Sequence, residues 1–345
     1  MRTLTNGFAV LAIACAFCGV DAAERNANTD WMSGKVGCFM HWWPQGTNNL
    51  AAQWRDFDVS GLVVQLKEMK ADYFFFTMGQ NSNAYNAPNA TYERRCGYEI
   101  GSRCSKRDIP AEIIAALKGT GISFGLYLPC QPSFNDVHAE MVFGNEKAGL
   151  HWCGDWYVTE KGAENWAEVI GEWSRRYGAG VQAWWFDGAC DYLRFNDAKA
   201  ERLRVAVLAG NPAAVVSFNC GAEDWNAPED KKLTLRTWCA CSDFTSGEMA
   251  SPWKFEPKDR WVNGKQVFML TYLGSFWGKD DMRCSVDKWI DAIGRITRVG
   301  GSVCLDLAAG KNGLFNSSQA RAFREIVSAA CLKSCCDRQS GDRPR

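Results

Sequence analysis

The stretch Val181-Gln-Ala-Trp-Trp-Phe-Asp187-Gly188-Ala189 holds the residues of this chain best placed to do chemistry. A mostly apolar run suited to a buried strand ends in one carboxylate, and a glycine follows at once, so the acid is pushed to the lip of its sheet. An ionised Asp beside Trp184, Trp185 and Phe186 is costly unless something compensates it. One reading makes Asp187 a helix cap or half of a structural ion pair, the commoner fate of a strand-end Asp. The other makes it a nucleophile toward a sugar, with the tryptophans as a stacking wall. The stretch alone does not decide between them.

The elements that would position Asp187 can be read in chain order. Residues 35–43 predict a first strand. Asp58 caps a helix whose apolar positions Val59, Leu62, Val63, Leu66 and Met69 follow helical spacing. Residues 73–77 predict a second strand, with a long polar loop to Arg107. A helix from Asp108 carries Pro110 in its first turn and stops at Gly119, ahead of a third strand over 122–128. Trp166, Val169, Ile170, Trp173 and Tyr177 line one helix face before the strand that ends at Asp187. A helix over 197–209 and strands over 213–219, 233–238 and 266–272 come next. Val286, Trp289, Ile290 and Ile293 line a helix ended by Gly300-Gly301; a strand over 302–307 and a helix over 318–330 complete the series.

Eight strands with helices between most of them predict an α/β chain folded as a (β/α)8 TIM-type barrel, a single domain over 24–333 with a polar tail over 334–345. The first strand is followed by no glycine-rich phosphate loop, which counts against a nucleotide-binding fold. In a barrel the C-terminal strand ends converge on one mouth. The residues expected there are His41, Gln80, Asn81, Gln131, Asp187, Asn219, Asp243 with Glu248, Ser275 with Trp277, and Asp306.

Bulk composition narrows the partners. The 345 residues are 47% hydrophobic and 13% aromatic, enough for a large core. Lys+Arg and Asp+Glu are both 39, so no basic surplus points to nucleic acid or to an anionic membrane surface. Sixteen tryptophans suit a carbohydrate partner, because indole faces stack on sugars, although many must simply fill the core. Residues 1–23 read as a cleavable signal: Arg2, an apolar run over 7–16 and small residues near Ala22 and Ala23. Export, secreted or periplasmic, follows, with a lipid anchor at Cys15 as the weaker option; no later segment is long and apolar enough to span a membrane. Of the sixteen cysteines, Cys96 with Cys104 and the group Cys331, Cys335 and Cys336 are the expected disulfide formers, while Cys38, Cys130 and Cys304 are expected as buried thiols. His41, His138 and His151 lack metal-ligand spacing with any Cys pair, so neither a metal site nor a cofactor is expected. Asn89-Ala-Thr91 and Asn316-Ser-Ser318 match glycosylation sequons.

From about Trp31 to Ala330 the chain resembles the catalytic barrel of the α-L-fucosidases, glycoside hydrolase family 29. Gly37-Cys-Phe-Met-His41-Trp resembles that family's first-strand histidine motif, and Phe57-Asp with Ala71-Asp-Tyr-Phe-Phe-Phe-Thr77 its second βα unit. Arg107-Asp-Ile with Gly121-Ile-Ser-Phe-Gly-Leu-Tyr127 resembles the third unit. Trp185-Phe-Asp187-Gly188 resembles the segment of the nucleophile, and Gly300-Gly-Ser-Val-Cys-Leu-Asp-Leu307 the closing strand. The chain departs from the family pattern at several points. Gln80-Asn81 stands where members usually carry two histidines, Gln53-Trp54 where they usually carry Glu-Trp, and Asp306 where they usually carry Asn; the β-sandwich that often follows the family's barrel is not expected here. An amide can hydrogen-bond a hydroxyl but cannot shuttle a proton as imidazole does.

The resemblance implies retaining hydrolysis of a fucosyl linkage, with Asp187 forming a glycosyl-enzyme and a second carboxyl group acting as acid and then base. Glu248, in Ser242-Asp-Phe-Thr-Ser-Gly-Glu248, resembles the family's acidic segment; Glu223, Asp243 and Glu256 compete with it. His41, Gln80, Asn81 and Asn219 are expected to hold sugar hydroxyls, and Trp54, Trp185 and Trp277 to stack on the ring. Two other functions stay open: a hydrolase of another α-linked sugar, and a catalytically silent carbohydrate-binding barrel.

Overall fold

Successive side chains of a strand point to opposite faces of its sheet, and that alternation divides the core in two. The strands are β1 (Val36–Met40), β2 (Tyr73–Thr77), β3 (Ser123–Pro129), β4 (Ala183–Asp187), β5 (Val215–Asn219), β6 (Phe268–Tyr272) and β7 (Ser302–Asp306). Phe39, Tyr73, Phe75, Tyr127, Trp185, Phe268 and Cys304 belong to an inner cluster. Their chain neighbours Met40, Phe74, Phe76, Leu128, Trp184, Met269 and Leu305 belong to an outer cluster shared with the helices. In this computed structural model the described residues are 28–44, 49–80, 84–132, 136–143, 146–147, 156–224 and 232–340, the last ten by backbone alone.

All ladders between these strands are parallel, in the order β6-β7-β1-β2-β3-β4-β5, which makes one curled seven-stranded sheet. Parallel neighbours need crossovers. Helices α1 (Leu50–Arg55) and α2 (Val59–Glu68) join β1 to β2, and α3 (Ala90–Cys96) and α4 (Ile109–Leu117) join β2 to β3. α5 (Val137–Val142) and α6 (Glu160–Tyr177) lead into β4, α7 (Asp197–Leu208) into β5, and α8 (Val286–Arg298) into β7. The expected caps form: the Asp58 and Asp108 carboxylates accept from Gly61 N and Ala111 N. No helix among the described residues is long and apolar enough to cross a membrane.

The regular sheet stops one strand short of the expected (β/α)8 barrel. Residues 233–238 form no strand; Leu233 makes a single bridge, to Phe255. The space between the edge strands β5 and β6 is taken instead by the backbone of 242–249. Asp243 N donates to Val216 O on one side, while Met249 N donates to Leu270 O and Leu270 N to Gly247 O on the other. A chain that leans from one neighbour to the other makes only isolated bridges, Phe244 to Gln266 and Glu248 to Leu270. Gly247 fixes the bend: its φ is +63°, and a Cβ there would lie 1.9 Å from the Phe268 carbonyl oxygen.

Two further expectations need correction. α9 (Ser317–Ser340) continues past Ala330, the expected end of the last helix. Cys96 and Cys104 are free and buried, and the disulfide among the described residues joins Cys190 to Cys220. The loop between Cys96 and Cys104 is organised by the buried Glu93 carboxylate, which accepts from Gly101 N, Arg103 N and Cys104 N at 2.7, 2.8 and 2.9 Å. Cys38, Cys130 and Cys304 are buried free thiols. The signal expected over 1–23 lies outside the described residues, as do the side chains of Cys331, Cys335 and Cys336.

Candidate active site

The same alternation delivers the site. A residue two positions beyond an inward-facing core residue also faces inward, and at the C-terminal end of a strand it reaches the mouth. Phe39 is followed in this way by His41, Trp185 by Asp187, Leu270 by Tyr272 and Cys304 by Asp306. After Asp187 the backbone leaves through Gly188 at φ +83°, a left-handed turn that an L side chain rarely tolerates, and Gly188 N donates back to Asp187 Oδ1 at 3.0 Å.

Three more side chains fix Asp187 and its surroundings. The Tyr127 hydroxyl donates to Asp187 Oδ2 at 2.8 Å and accepts from Gln80 Nε2. Asn219 Nδ2 donates to Asp187 Oδ1 at 2.8 Å and to Glu248 Oε2 at 2.6 Å. One amide nitrogen therefore stands between the two carboxyl groups. Burial first, and then the negative charge of Asp187, push Glu248 up to about 8, so it holds a proton at neutral pH. Burial keeps the Tyr127 hydroxyl protonated as well, so it serves as a donor. Asn219 Oδ1 and Gln131 Oε1 are buried with no partner among the described residues.

The competing carboxylates are committed elsewhere. Glu223, its side chain wholly buried, accepts from Arg236 Nε at 2.8 Å and Arg236 N at 3.1 Å. Asp243 accepts from Val216 N at 2.9 Å, near the N-terminal end of β5 and away from the mouth. Glu256 is exposed and paired with Lys232. Burial again accounts for the upward shift of Glu223, which Arg236 opposes.

On the other side of the mouth His41 Nδ1 lies 3.1 Å from Asp306 Oδ1, and Asp306 Oδ2 accepts from Gly278 N at 2.7 Å. Trp277, partly exposed, sits edge-on to His41 with centroids 5.1 Å apart and to Tyr272 at 4.9 Å. Trp54 and Trp185 offer no stacking face. Each is 3% exposed; Trp54 Nε1 donates to Asn86 Oδ1 in the outer core, and Trp185 stacks under Tyr127 and donates to the Ser246 carbonyl. Ser275 is exposed in the loop after β6, and Asn81 lies outside the described residues. Sequence reasoning passed over Tyr127 and Tyr272 because an aromatic inside an apolar run reads as core; their inward parity within β3 and β6 was the available signal. Among the described residues no cluster of His, Cys, Asp and Glu could hold a metal ion.

No protein-family model matches the sequence, and no curated protein matches it. Solved structures do match. An endo-fucoidan hydrolase of glycoside hydrolase family 107, MfFcnA4, aligns with a TM-score of 0.65 at 14% identity over 88% of this chain and 53% of its own. A second of that family, P5AFcnA, gives 0.65 at 14% identity over 87% of this chain and 92% of its own. The α-L-fucosidase AlfC from Lactobacillus casei, in complex with its α-L-fucose product, gives 0.58 at 13% identity over 91% of this chain and 99% of its own. The likeness is one of fold. The chain spans about half the length of MfFcnA4 but nearly all of AlfC.

Proposed function

We propose that the protein is a retaining, exo-acting glycoside hydrolase for α-L-fucosyl linkages, with Asp187 as nucleophile and Glu248 as acid/base. The observation that carries this reading is the Asn219 bridge. Its two hydrogen bonds, 2.8 and 2.6 Å, laid end to end bound the separation of the nearest carboxyl oxygens. That separation supports retention, which places the carboxyl groups about 5–5.5 Å apart, over inversion, which needs roughly 6.5–9.5 Å to admit a water.

In the first step Asp187 attacks the anomeric carbon, the glycosidic C–O bond breaks, and Glu248 gives its proton to the leaving oxygen. In the second, the Glu248 carboxylate takes a proton from water, the water oxygen bonds to the anomeric carbon, and Asp187 is released. Tyr127 and Asn219 hold the Asp187 carboxylate, and His41, fixed by Asp306, is placed to meet a sugar hydroxyl. The fucosyl assignment draws on the fold shared with both kinds of solved enzyme and on the resemblance to family 29. Residues 1–23 support export of the enzyme. Gln80, where the family usually has a histidine, keeps a second reading in view, hydrolysis of another α-linked sugar with the same carboxyl pair.

A panel of aryl glycosides separates these readings. Fucoside turnover that Asp187→Ala abolishes supports the first, and turnover of a different sugar alone supports the second. In Glu248→Ala, substrates with good leaving groups should stall at deglycosylation, and added azide should restore the rate. Unchanged kinetics in that variant would remove Glu248 from the mechanism. Glycan binding without any turnover would leave a silent binding protein.

A further inference from the structure

Of the exposed large apolar side chains among the described residues, Val64, Ile100, Met141, Val205 and Phe276, Phe276 is the one in a loop that leaves the C-terminal end of a sheet strand and packs on a residue of the mouth, Tyr272. It is 59% exposed, yet the loop that carries it is fastened on several sides. Ser275 N donates to Asp281 Oδ1 at 2.7 Å, Lys279 N to the Phe276 carbonyl at 3.1 Å, and Gly278 N to Asp306 Oδ2 at 2.7 Å. Gln319 Nε2 holds the Lys279 and Asp281 carbonyls at 2.8 and 2.7 Å. These bonds order the loop, and the ring it carries stands in water.

The ring also stands on a definite side of the mouth. Glu248 bridges Leu270 of β6, so the acid lies on the β6 side of Asp187. Tyr272, at the end of the same strand, is within electrostatic reach of Glu248, and Phe276 packs on Tyr272 with centroids 5.6 Å apart. The group that leaves must lie where the acid can reach its oxygen, which is this side. We propose that Phe276 is the platform for the leaving sugar, a specificity-determining residue that stacks on the apolar face of the pyranose next to the one being cleaved. The assignment rests on the glycosidase reading above, and it adds a second sugar-binding position and the residue that reads it.

The test compares a substrate that fills this position with one that leaves it empty. α-L-Fucosyl fluoride has only a fluorine atom as leaving group, whereas an α-L-fucosyl disaccharide places a ring over Phe276. In Phe276→Ala, the ratio of kcat/KM for the disaccharide to kcat/KM for the fluoride should fall about tenfold, the worth of one stacking contact. Phe276→Tyr should restore it. A ratio in Phe276→Ala equal to that of the unaltered enzyme overturns the platform while leaving the hydrolase reading intact. An unaltered protein inert toward both substrates overturns the fucosyl hydrolase reading and takes this platform with it.

Discussion

Asn219 has two amide protons and spends one on each carboxyl group, so the geometry of the pair depends on a neutral donor that cannot titrate. The proton that matters is on Glu248, and its direction of shift sets two pH dependences. A carboxyl raised from 4.5 to about 8 keeps in the folded state a proton that the unfolded chain releases. The stability it contributes is complete below its ordinary value and is lost as pH rises through about 8. Glu248→Gln cannot lose that proton, so its stability advantage over the unaltered protein should grow between pH 5 and pH 8.5. Urea midpoints at the two pH values check this, and an advantage that stays constant would mean Glu248 is not the raised group. On the proposed mechanism the same proton is the one given to the leaving oxygen, so kcat/KM should decline on the alkaline side as pH passes about 8. Asp187 and Asn219 were legible from sequence because each closes an apolar run. Tyr127 was hidden by its own aromatic character, and the partner of Glu223, Arg236, lies across a loop whose path no spacing rule gives.

At the scale of elements, the Cys190–Cys220 disulfide ties the turn after β4 to the residue that follows β5. Cys190 is three positions past Asp187, and Cys220 adjoins Asn219, so the bond ties the turn after Asp187 to the residue beside the amide that hydrogen-bonds it. Ala189 N and Cys130 N add backbone bonds to the Asn219 and Asp187 carbonyls at 2.7 and 2.6 Å. Reduction, or Cys190→Ser with Cys220→Ser, should lower kcat by about ten- to a hundredfold, the scale expected when reacting groups drift by roughly 1 Å. KM should move less. Full activity in protein whose extra thiols have been titrated would show that the backbone bonds suffice. The helix caps at Asp58 and Asp108 could be read directly, since a cap and its helix are local in sequence. The missing eighth strand could not. Residues 242–249 owe their place to two neighbours far apart in sequence and to the bend at Gly247, neither of which leaves a periodic pattern.

The whole molecule is stabilised by apolar side chains on both faces of one sheet, and the inner set is the more exacting because it has no helices to adjust around it. Phe75 is 1% exposed, with Tyr73 and Phe268 at centroid distances of 5.9 and 5.8 Å. Phe75→Ala should cost about 3–5 kcal/mol, read as a lower denaturant midpoint with an unchanged slope. A loss below about 1 kcal/mol would mean that the interior collapses to fill the gap. The parallel α/β architecture was legible because strands and helices alternate through the chain, whereas the strand count required the contact between edges. Tyr127 and Trp185, stacked with centroids 5.4 Å apart and exposed by 1% and 3%, lie directly below the carboxyl pair. That packing closes the interior of the sheet beneath them, so nothing reaches the pair from below. On the proposed mechanism, sugar and water alike must come to Asp187 and Glu248 from the side of the C-terminal strand ends.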